Sequence, residues 1–258
     1  MKFMYKVILS SAILYSIFNH TLFAASMIPK IIAHRGAWKE YNLPQNSIAS
    51  LKKAIELGCY GTEFDVQMTK DSILVINHDN DYNGLLIESH TYEELAVHRL
   101  SNGEKLPTLA TYLEVASHYP IKLMCEIKTS SIDKKNTKNW ALQSLRLINK
   151  YKMNAQVEFI LFDYDATIYI SKQTKIPVSY LMGDQSPNDI KSNNINGIDY
   201  NFNVFKKYTN YLAQAKKLGL KTNVWTVNEV EDLLFFKNQC IDYITTDIPE
   251  KALKLMKQ

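Results

Sequence analysis

Seven short stretches of this 258-residue chain carry side chains able to do chemistry together. They are His34-Arg35-Gly36, Glu63-Phe64-Asp65, His78-Asp79, Glu126-Ile127-Lys128, Trp225-Thr226, Asn228 and Thr246-Asp247-Ile248-Pro249. Most stand at or near the C-terminal end of a short apolar run. Strand side chains alternate between faces, so Glu63 and Asp65 share one face, as do Glu126 and Lys128. Three acids turned inward at neighbouring strand ends would repel one another strongly in a low-dielectric interior. A bound divalent cation removes that conflict, and hard oxygen ligands suit Mg²⁺ or Ca²⁺. Two histidines and an arginine beside such a cation fit phosphoryl chemistry. Arg35 and Lys128 would neutralise charge, and the imidazoles of His34 and His78 would move protons. Taken singly, each feature has an ordinary structural reading. A strand-end histidine is commonly a hydrogen-bonded core residue, a Glu-x-Asp pair a solvated strand face, and a tryptophan core packing. Their concentration at one kind of position carries the functional reading.

Those positions require a particular scaffold. Apolar runs at 30–33, 60–66, 74–77, 121–127, 157–162, 177–182, 197–200, 222–226 and 241–245 alternate with helical patterns. The helical patterns cover 47–57, 109–118, 137–150, 164–171, 206–218, 229–237 and 250–257. Local signals punctuate them. Asn46 or Ser47 can accept a hydrogen bond from a free N–H at the start of the first helix, and Gly58 follows its end, where glycine takes a left-handed cap without steric cost. Thr108 can cap the second and Pro120 blocks its continuation. Lys216 and Lys217 suit the end of another helix, and Gly219 stops it. Strand–helix alternation along the chain argues for parallel strands with right-handed crossovers. About eight such units in a chain of this length predict an α/β fold, a closed (β/α)8 TIM barrel, with its first and last strands paired. An open doubly wound sheet is the competitor, but no G-x-G-x-x-G follows the first strand. From 80 to 107 the chain is polar and irregular, with Asn83-Gly84 and Asn102-Gly103 as turns. It reads as a small insertion after the second barrel strand, placed to select substrate.

Composition bounds the partners. Apolar residues make up 46% and charged residues 22%, enough to bury a sizeable core. Lys2 and Lys6, an apolar stretch at 7–18 and the small residues Ala24, Ala25 and Ser26 read as a secretory signal peptide at 1–25. The apolar stretch is short for a membrane span; the alternative is an uncleaved N-terminal anchor. Cleavage would leave a domain at 26–258 in the periplasm or outside the cell, without stable membrane insertion. The formal net charge of +4 falls to +2 without the two lysines, too weak to argue for nucleic acid or an anionic membrane surface. The three cysteines, Cys59, Cys125 and Cys240, lie in apolar stretches and are expected to be buried free thiols rather than zinc ligands.

The string from Ala33-His34-Arg35-Gly36 through Pro44-Gln45-Asn46-Ser47 to Gly61-Thr62-Glu63-Phe64-Asp65-Val66, followed by His78-Asp79, resembles the glycerophosphodiester phosphodiesterase family. That family shares its fold with phosphatidylinositol-specific phospholipases C. The later motifs around Glu126, Trp225 and Asp247 match in order. The resemblance implies hydrolysis of a small glycerophosphodiester to sn-glycerol 3-phosphate and an alcohol. It implies Glu63, Asp65 and Glu126 as ligands of Ca²⁺ or Mg²⁺, and His34 and His78 as general acid and base, in either order. It further implies Arg35 and Lys128 on the phosphate and Trp225 against the glycerol unit, with Asp247 ordering the last loop. One departure stands out: the family's Glu is here Gln45, which removes a charge near the metal ligands and Arg35. Two other readings remain, a lysophospholipase D-like enzyme and a non-catalytic glycerophosphodiester-binding protein.

Overall fold

The computed structural model describes residues 28–257, so the expected leader at 1–25 lies outside the described residues. In chain order the strands are β1 (Lys30–Ala33), β2 (Gly61–Met68), β3 (Leu74–Ile76), β4 (Asp81–Tyr82), β5 (Leu85–Leu86), β6 (Lys122–Ile127), β7 (Val157–Leu161), β8 (Val178–Tyr180), β9 (Gly197–Asn201), β10 (Lys221–Trp225) and β11 (Tyr243–Thr246). The helices are α1 (Ile48–Glu56), α2 (Tyr92–Ala96), α3 (Leu109–Ala116), α4 (Lys135–Lys150), α5 (Tyr164–Ser171), α6 (Pro187–Ser192), α7 (Phe202–Lys207), α8 (Tyr211–Leu218), α9 (Val230–Lys237) and α10 (Pro249–Met256).

Eight of the strands close a parallel barrel in the order β1-β2-β6-β7-β8-β9-β10-β11. Closure comes from β1, which pairs with β11 from Lys30↔Tyr243 to Ala33↔Thr246 and with β2 at Ile32↔Gly61. The first and last strands are therefore neighbours, as the alternation predicts, and the open-sheet alternative is excluded. Most of the core lies between the barrel and its helices. The amphipathic α4, for example, turns Trp140, Ala141, Leu145 and Ile148 inward. Burying a side chain such as Leu145 or Ile148 contributes about 1.5–3 kcal/mol, and Trp140→Ala would cost about 3–5 kcal/mol.

Local chemistry fixes the turns that matter for function. Ser47 caps α1 by accepting from the Ser50 N–H, and the Ser50 hydroxyl oxygen accepts from the Ser47 N–H. Gly36 follows β1 at φ +83°, and a Cβ there would collide with Ser50. The turn after His34 and the start of α1 are thus pressed together.

Strand β2 outruns the barrel. Its last residues pair antiparallel with β3, from Val66↔Ile76 to Met68↔Leu74, which brings the segment leading to His78 alongside. The stretch after it is more ordered than its polarity suggests. It forms the hairpin β4–β5 around Asn83-Gly84 and the short α2, whose Thr91 and Glu94 make a reciprocal cap. Val75, Tyr82, Ile87, Leu95 and Leu106 form its own small core.

Three expectations need correcting. The single helix expected over 206–218 is two helices, α7 and α8. Asn201 caps an earlier start, and Tyr208 leaves helical geometry (φ −111°, ψ 74°), which lets its ring stack on Tyr211. Helix α6 was not anticipated, although Ser186-Pro187 with Asp189 is a recognisable start signal. Cys59 and Cys125 are buried free thiols as expected, but Cys240 is exposed. It sits at φ +54° in the turn between α9 and β11, before the chain re-enters the sheet. No described helix is long and apolar enough to cross a membrane.

Candidate active site

The C-terminal ends of β1, β2, β6 and β10 bring the expected residues together. His34, Arg35, Glu63, His78, Glu126, Lys128 and Trp225 line one cavity of about 100 Å³. The eighth, Asp65, is buried beside it; one carboxylate oxygen each from Glu63, Asp65 and Glu126 fall within 4.8 Å of one another. The pairing of β2 with β6 explains this, because Asp65 stands opposite Glu126 and Glu63 opposite Met124.

Basic groups surround the acids without satisfying them. Lys128 Nζ lies 2.9 Å from Glu126 Oε1 and 3.3 Å from Asp65 Oδ1. Arg35 Nε lies 3.5 Å from Asp65 Oδ2, and the Arg35 backbone N–H donates to Glu63 Oε2 at 2.9 Å. Arg35 adopts the left-handed region at φ +56°, which aims that N–H at Glu63. Asn46 Nδ2 donates to Asp65 Oδ2 at 2.8 Å. Even so, Glu63 Oε1 is buried with no partner, and Asp65 Oδ1 and Glu126 Oε1 share the single ammonium of Lys128. Buried carboxylate oxygens left this way are costly. A hard divalent cation is the group that fits three such oxygens.

The departure at Gln45 now has a structural meaning. Its Oε1 accepts from Arg35 Nη1 at 2.7 Å, so the amide still holds the guanidinium, through a neutral acceptor.

The two imidazoles are held differently. His34 Nδ1 lies 2.6 Å from Asp247 Oδ1, and Asp247 Oδ2 accepts from Asn228 Nδ2 at 2.8 Å. That leaves His34 Nε2 facing the cavity, 3.9 Å from Glu63 Oε2. His78 Nδ1 lies 2.8 Å from Asp79 Oδ1 on the more open side.

Burial and charge set the protonation. Burial, with Asp65 and Glu126 beside it, pushes the Glu63 carboxyl well above the usual carboxylate range. Burial and Asp65 likewise push Glu126 up to about 7. Burial also acts to raise Asp65, but Lys128, Arg35 and His78 outweigh it and hold that carboxyl low. Burial lowers His78, against the opposing pull of Asp65. For Asp247, burial is outweighed by the hydrogen bond and charge of His34.

The remaining wall is apolar: Ile160, Phe162, Leu181 and Trp225, with Phe162 edge-on to Trp225 at 5.5 Å between ring centroids. Asp199 also lines the cavity, and burial pushes its carboxyl up to about 7.

Sequence reasoning missed three partners. Asp247 was expected to order the last loop, and it does meet Asn228, but it also holds His34. The register Ala33↔Thr246 predicts this once the barrel is closed. Asn46 was read as a helix cap and instead holds Asp65. Asp199 was passed over inside an apolar run, where a single acid on an inward-facing strand was the available signal.

Comparison with known proteins points one way. The model of the glycerophosphoryl diester phosphodiesterase family matches residues 34–251. The chain is similar to a glycerophosphodiester phosphodiesterase of Caldanaerobacter subterraneus, 29% identical over 245 residues, covering 88% of this chain and 98% of that protein. A crystal structure of a glycerophosphodiester phosphodiesterase from Parabacteroides distasonis superposes with a TM-score of 0.86 at 40% identity, covering 89% of this chain and 97% of that one. An Oleispira antarctica phosphodiesterase, solved in complex with the product sn-glycerol-3-phosphate, shares the fold with a TM-score of 0.77 at 23% identity. That match covers 90% of this chain and 98% of that one.

Proposed function

The chain belongs to the glycerophosphoryl diester phosphodiesterase family, and from that membership we propose that it hydrolyses glycerophosphodiesters to sn-glycerol 3-phosphate and an alcohol in a reaction that depends on a divalent cation. The observation that carries the cation dependence is the Glu63–Asp65–Glu126 cluster, three buried carboxylates that share the two side-chain cations Lys128 and Arg35, in or beside the cavity that holds both imidazoles. Ca²⁺ or Mg²⁺ held there would neutralise phosphoryl charge as a Lewis acid.

The other side chains divide the remaining work. Arg35, held by Gln45, and Lys128 stand where they can bind the phosphoryl oxygens. Trp225 and Phe162 offer an apolar face to the carbon skeleton. In cleavage the glycerol 2-hydroxyl would lose its proton as its oxygen bonds to phosphorus, and the departing alkoxide would take one as its P–O bond breaks; water would then open the resulting cyclic phosphate with the two transfers reversed. His78, whose pKa burial lowers, suits the base because its neutral form is favoured. His34, with Asp247 on Nδ1, presents Nε2 and suits the acid. The two transfers balance, and net hydrolysis consumes one water.

The insertion argues against a lipid substrate, since Tyr82, Ile87, Leu95 and Leu106 are buried in its own core rather than turned toward a ligand. Both histidines and all three carboxylates are present, which argues against a purely binding role. Turnover of glycerophosphocholine with added Ca²⁺ or Mg²⁺, abolished by a chelator and restored by the ion, tests the reading. Full activity in chelator, in protein free of metal by elemental analysis, would sink the cation dependence. We infer also that residues 1–25 are a leader whose removal sends the domain at 26–258 to the periplasm or outside the cell. Mass spectrometry of protein from its native host should then find an N-terminus near Ala25 or Ser26, and an intact Met1 in the soluble fraction would refute export.

A further inference from the structure

A fourth buried acid stands opposite the cation cluster, and neither proton transfer nor cation binding uses it. Asp199 lies on β9, four strands from β2 in either direction around the barrel. It is 1% exposed and lines the cavity. Its Oδ2 accepts from Asn223 Nδ2 at 2.9 Å, and the same Asn223 Nδ2 reaches Thr245 Oγ1 at 2.8 Å. Its Oδ1 has no partner, and neither does Asn223 Oδ1.

An unpartnered carboxylate oxygen on a residue that lines the cavity calls for a hydrogen-bond donor. A phosphoryl group has only acceptor oxygens at neutral pH and would be repelled, so the complementary ligand is a hydroxyl. The position fits the far end of a small polyol. Trp225 stands two residues after Asn223 on the same face of β10, and its Nε1 donates to the Asp199 carbonyl at 2.8 Å. Asp199 and Asn223 therefore lie one layer deeper than the tryptophan, about 7 Å along the strand. With the phosphoryl group at Arg35 and Lys128, a three-carbon chain packed on Trp225 points its free end at this floor.

We propose that Asp199, held by Asn223, is a specificity-determining residue that accepts a hydrogen bond from the terminal hydroxyl of the glycerol unit. The inference rests on the glycerophosphodiester reading above and adds which residue reads which hydroxyl.

The test compares kcat/KM for glycerophosphocholine with that for its 1,2-propanediol analogue, which keeps the secondary hydroxyl and lacks the terminal one. At pH 8, above the raised pKa of Asp199, a hydrogen bond to its charged carboxylate corresponds to a preference of roughly 10- to 100-fold for the glycerol substrate in the wild-type protein. Asp199→Ala should bring the two substrates to near equality. Asp199→Asn, which keeps the volume and safeguards the fold, should cut the preference substantially, with folding of both variants checked by thermal unfolding. Equal wild-type rates on the two diesters would overturn the proposal, as would a preference left intact in a folded variant. A wild-type protein inert toward both diesters with cation present would instead overturn the phosphodiesterase reading, and this inference with it.

Discussion

Glu158 and Glu63 are both almost wholly buried in the barrel interior, 5% and 3% exposed, yet their surroundings differ in kind. Glu158 lies at the start of β7, among the N-terminal strand ends. Tyr243 donates to its Oε1 at 3.3 Å. Tyr60 stacks on Tyr243 at 5.5 Å, Lys30 sits over the Tyr60 ring and Lys221 over the Tyr243 ring. Burial still raises its carboxyl, but Lys122, Lys221 and the hydroxyl of Tyr243 oppose the rise. Glu63, at the other end, has one oxygen bound to the Arg35 N–H and the other to nothing, with two more carboxylates against it. The lower end is an acid closed off by partners within the protein. The upper end is an acid cluster whose stability is incomplete without a ligand, which is how a site poised for charge differs from a plug.

The largest effects should come from breaking the upper cluster. Lewis-acid stabilisation is worth several kcal/mol, so Asp65→Asn or Glu63→Gln should lower kcat/KM by at least about 10³-fold, measured at saturating cation. Stability should move in the opposite direction. Without metal, at a pH alkaline enough to press Glu63 toward its ionised form, Glu63→Gln removes a buried charge beside two others and should raise Tm. Glu158→Ala removes the hydrogen bond from Tyr243 and leaves a hole in the barrel floor; it should cost roughly 1–3 kcal/mol, a fall of several degrees, with activity largely retained. If both substitutions shift Tm the same way in chelator, the contrast between the two ends is wrong.

The histidines come next. General acid–base groups contribute about 10²–10⁴-fold each, so His34→Ala and His78→Ala should each lower kcat by at least about 10²-fold. Cation binding, followed by calorimetry, should survive both, because the proposed ligands are carboxylates. A nitrophenolate leaving group needs little protonation and should rescue His34→Ala but not His78→Ala. Rescue of the reverse pattern would exchange the two roles, and near-normal turnover of either variant on glycerophosphocholine would remove the two-histidine mechanism.

The upper end was legible because its signals are local. Glu63 and Asp65 share a face by alternation alone, and the capped helices and apolar runs set the βα rhythm that leads to a closed barrel. What escaped depended on contacts between distant segments. Asp247 reaches His34 only because β11 and β1 are paired, and Asn46 reaches Asp65 only because Gly36 lets the turn fold onto α1. Asp199 and Glu158 look alike in sequence, single acids in apolar strands, and nothing local says that one meets Tyr243 while the other keeps a bare oxygen. Cys240 shows the limit at element edges. An apolar neighbour in sequence does not bury a residue that the backbone places in an exposed turn.

The smallest effect is a dependence on pH set by the buried carboxyls whose pKa the barrel raises. In metal-free protein Glu126 titrates near 7 rather than near its ordinary 4.5, with burial as the main cause. A carboxyl raised in the folded state favours folding fully below its unfolded pKa and loses that contribution as pH rises through its folded pKa. Tm in chelator should therefore fall between about pH 5 and pH 8. Asp199, also near 7, adds to that fall, whereas Asp65, held low, titrates below this range and does not. A cation held by these carboxylates would bind their ionised forms and so displace the protons of Glu63 and Glu126 at low pH. The Tm increment from a fixed excess of Ca²⁺ or Mg²⁺ should then grow over the same window, by a few degrees. Glu126→Gln should flatten the pH dependence of that increment while leaving the share due to Asp199 in chelator. A cation increment that stays constant from pH 5 to pH 8 in the wild-type protein would mean that the three carboxylates are not where the ion binds.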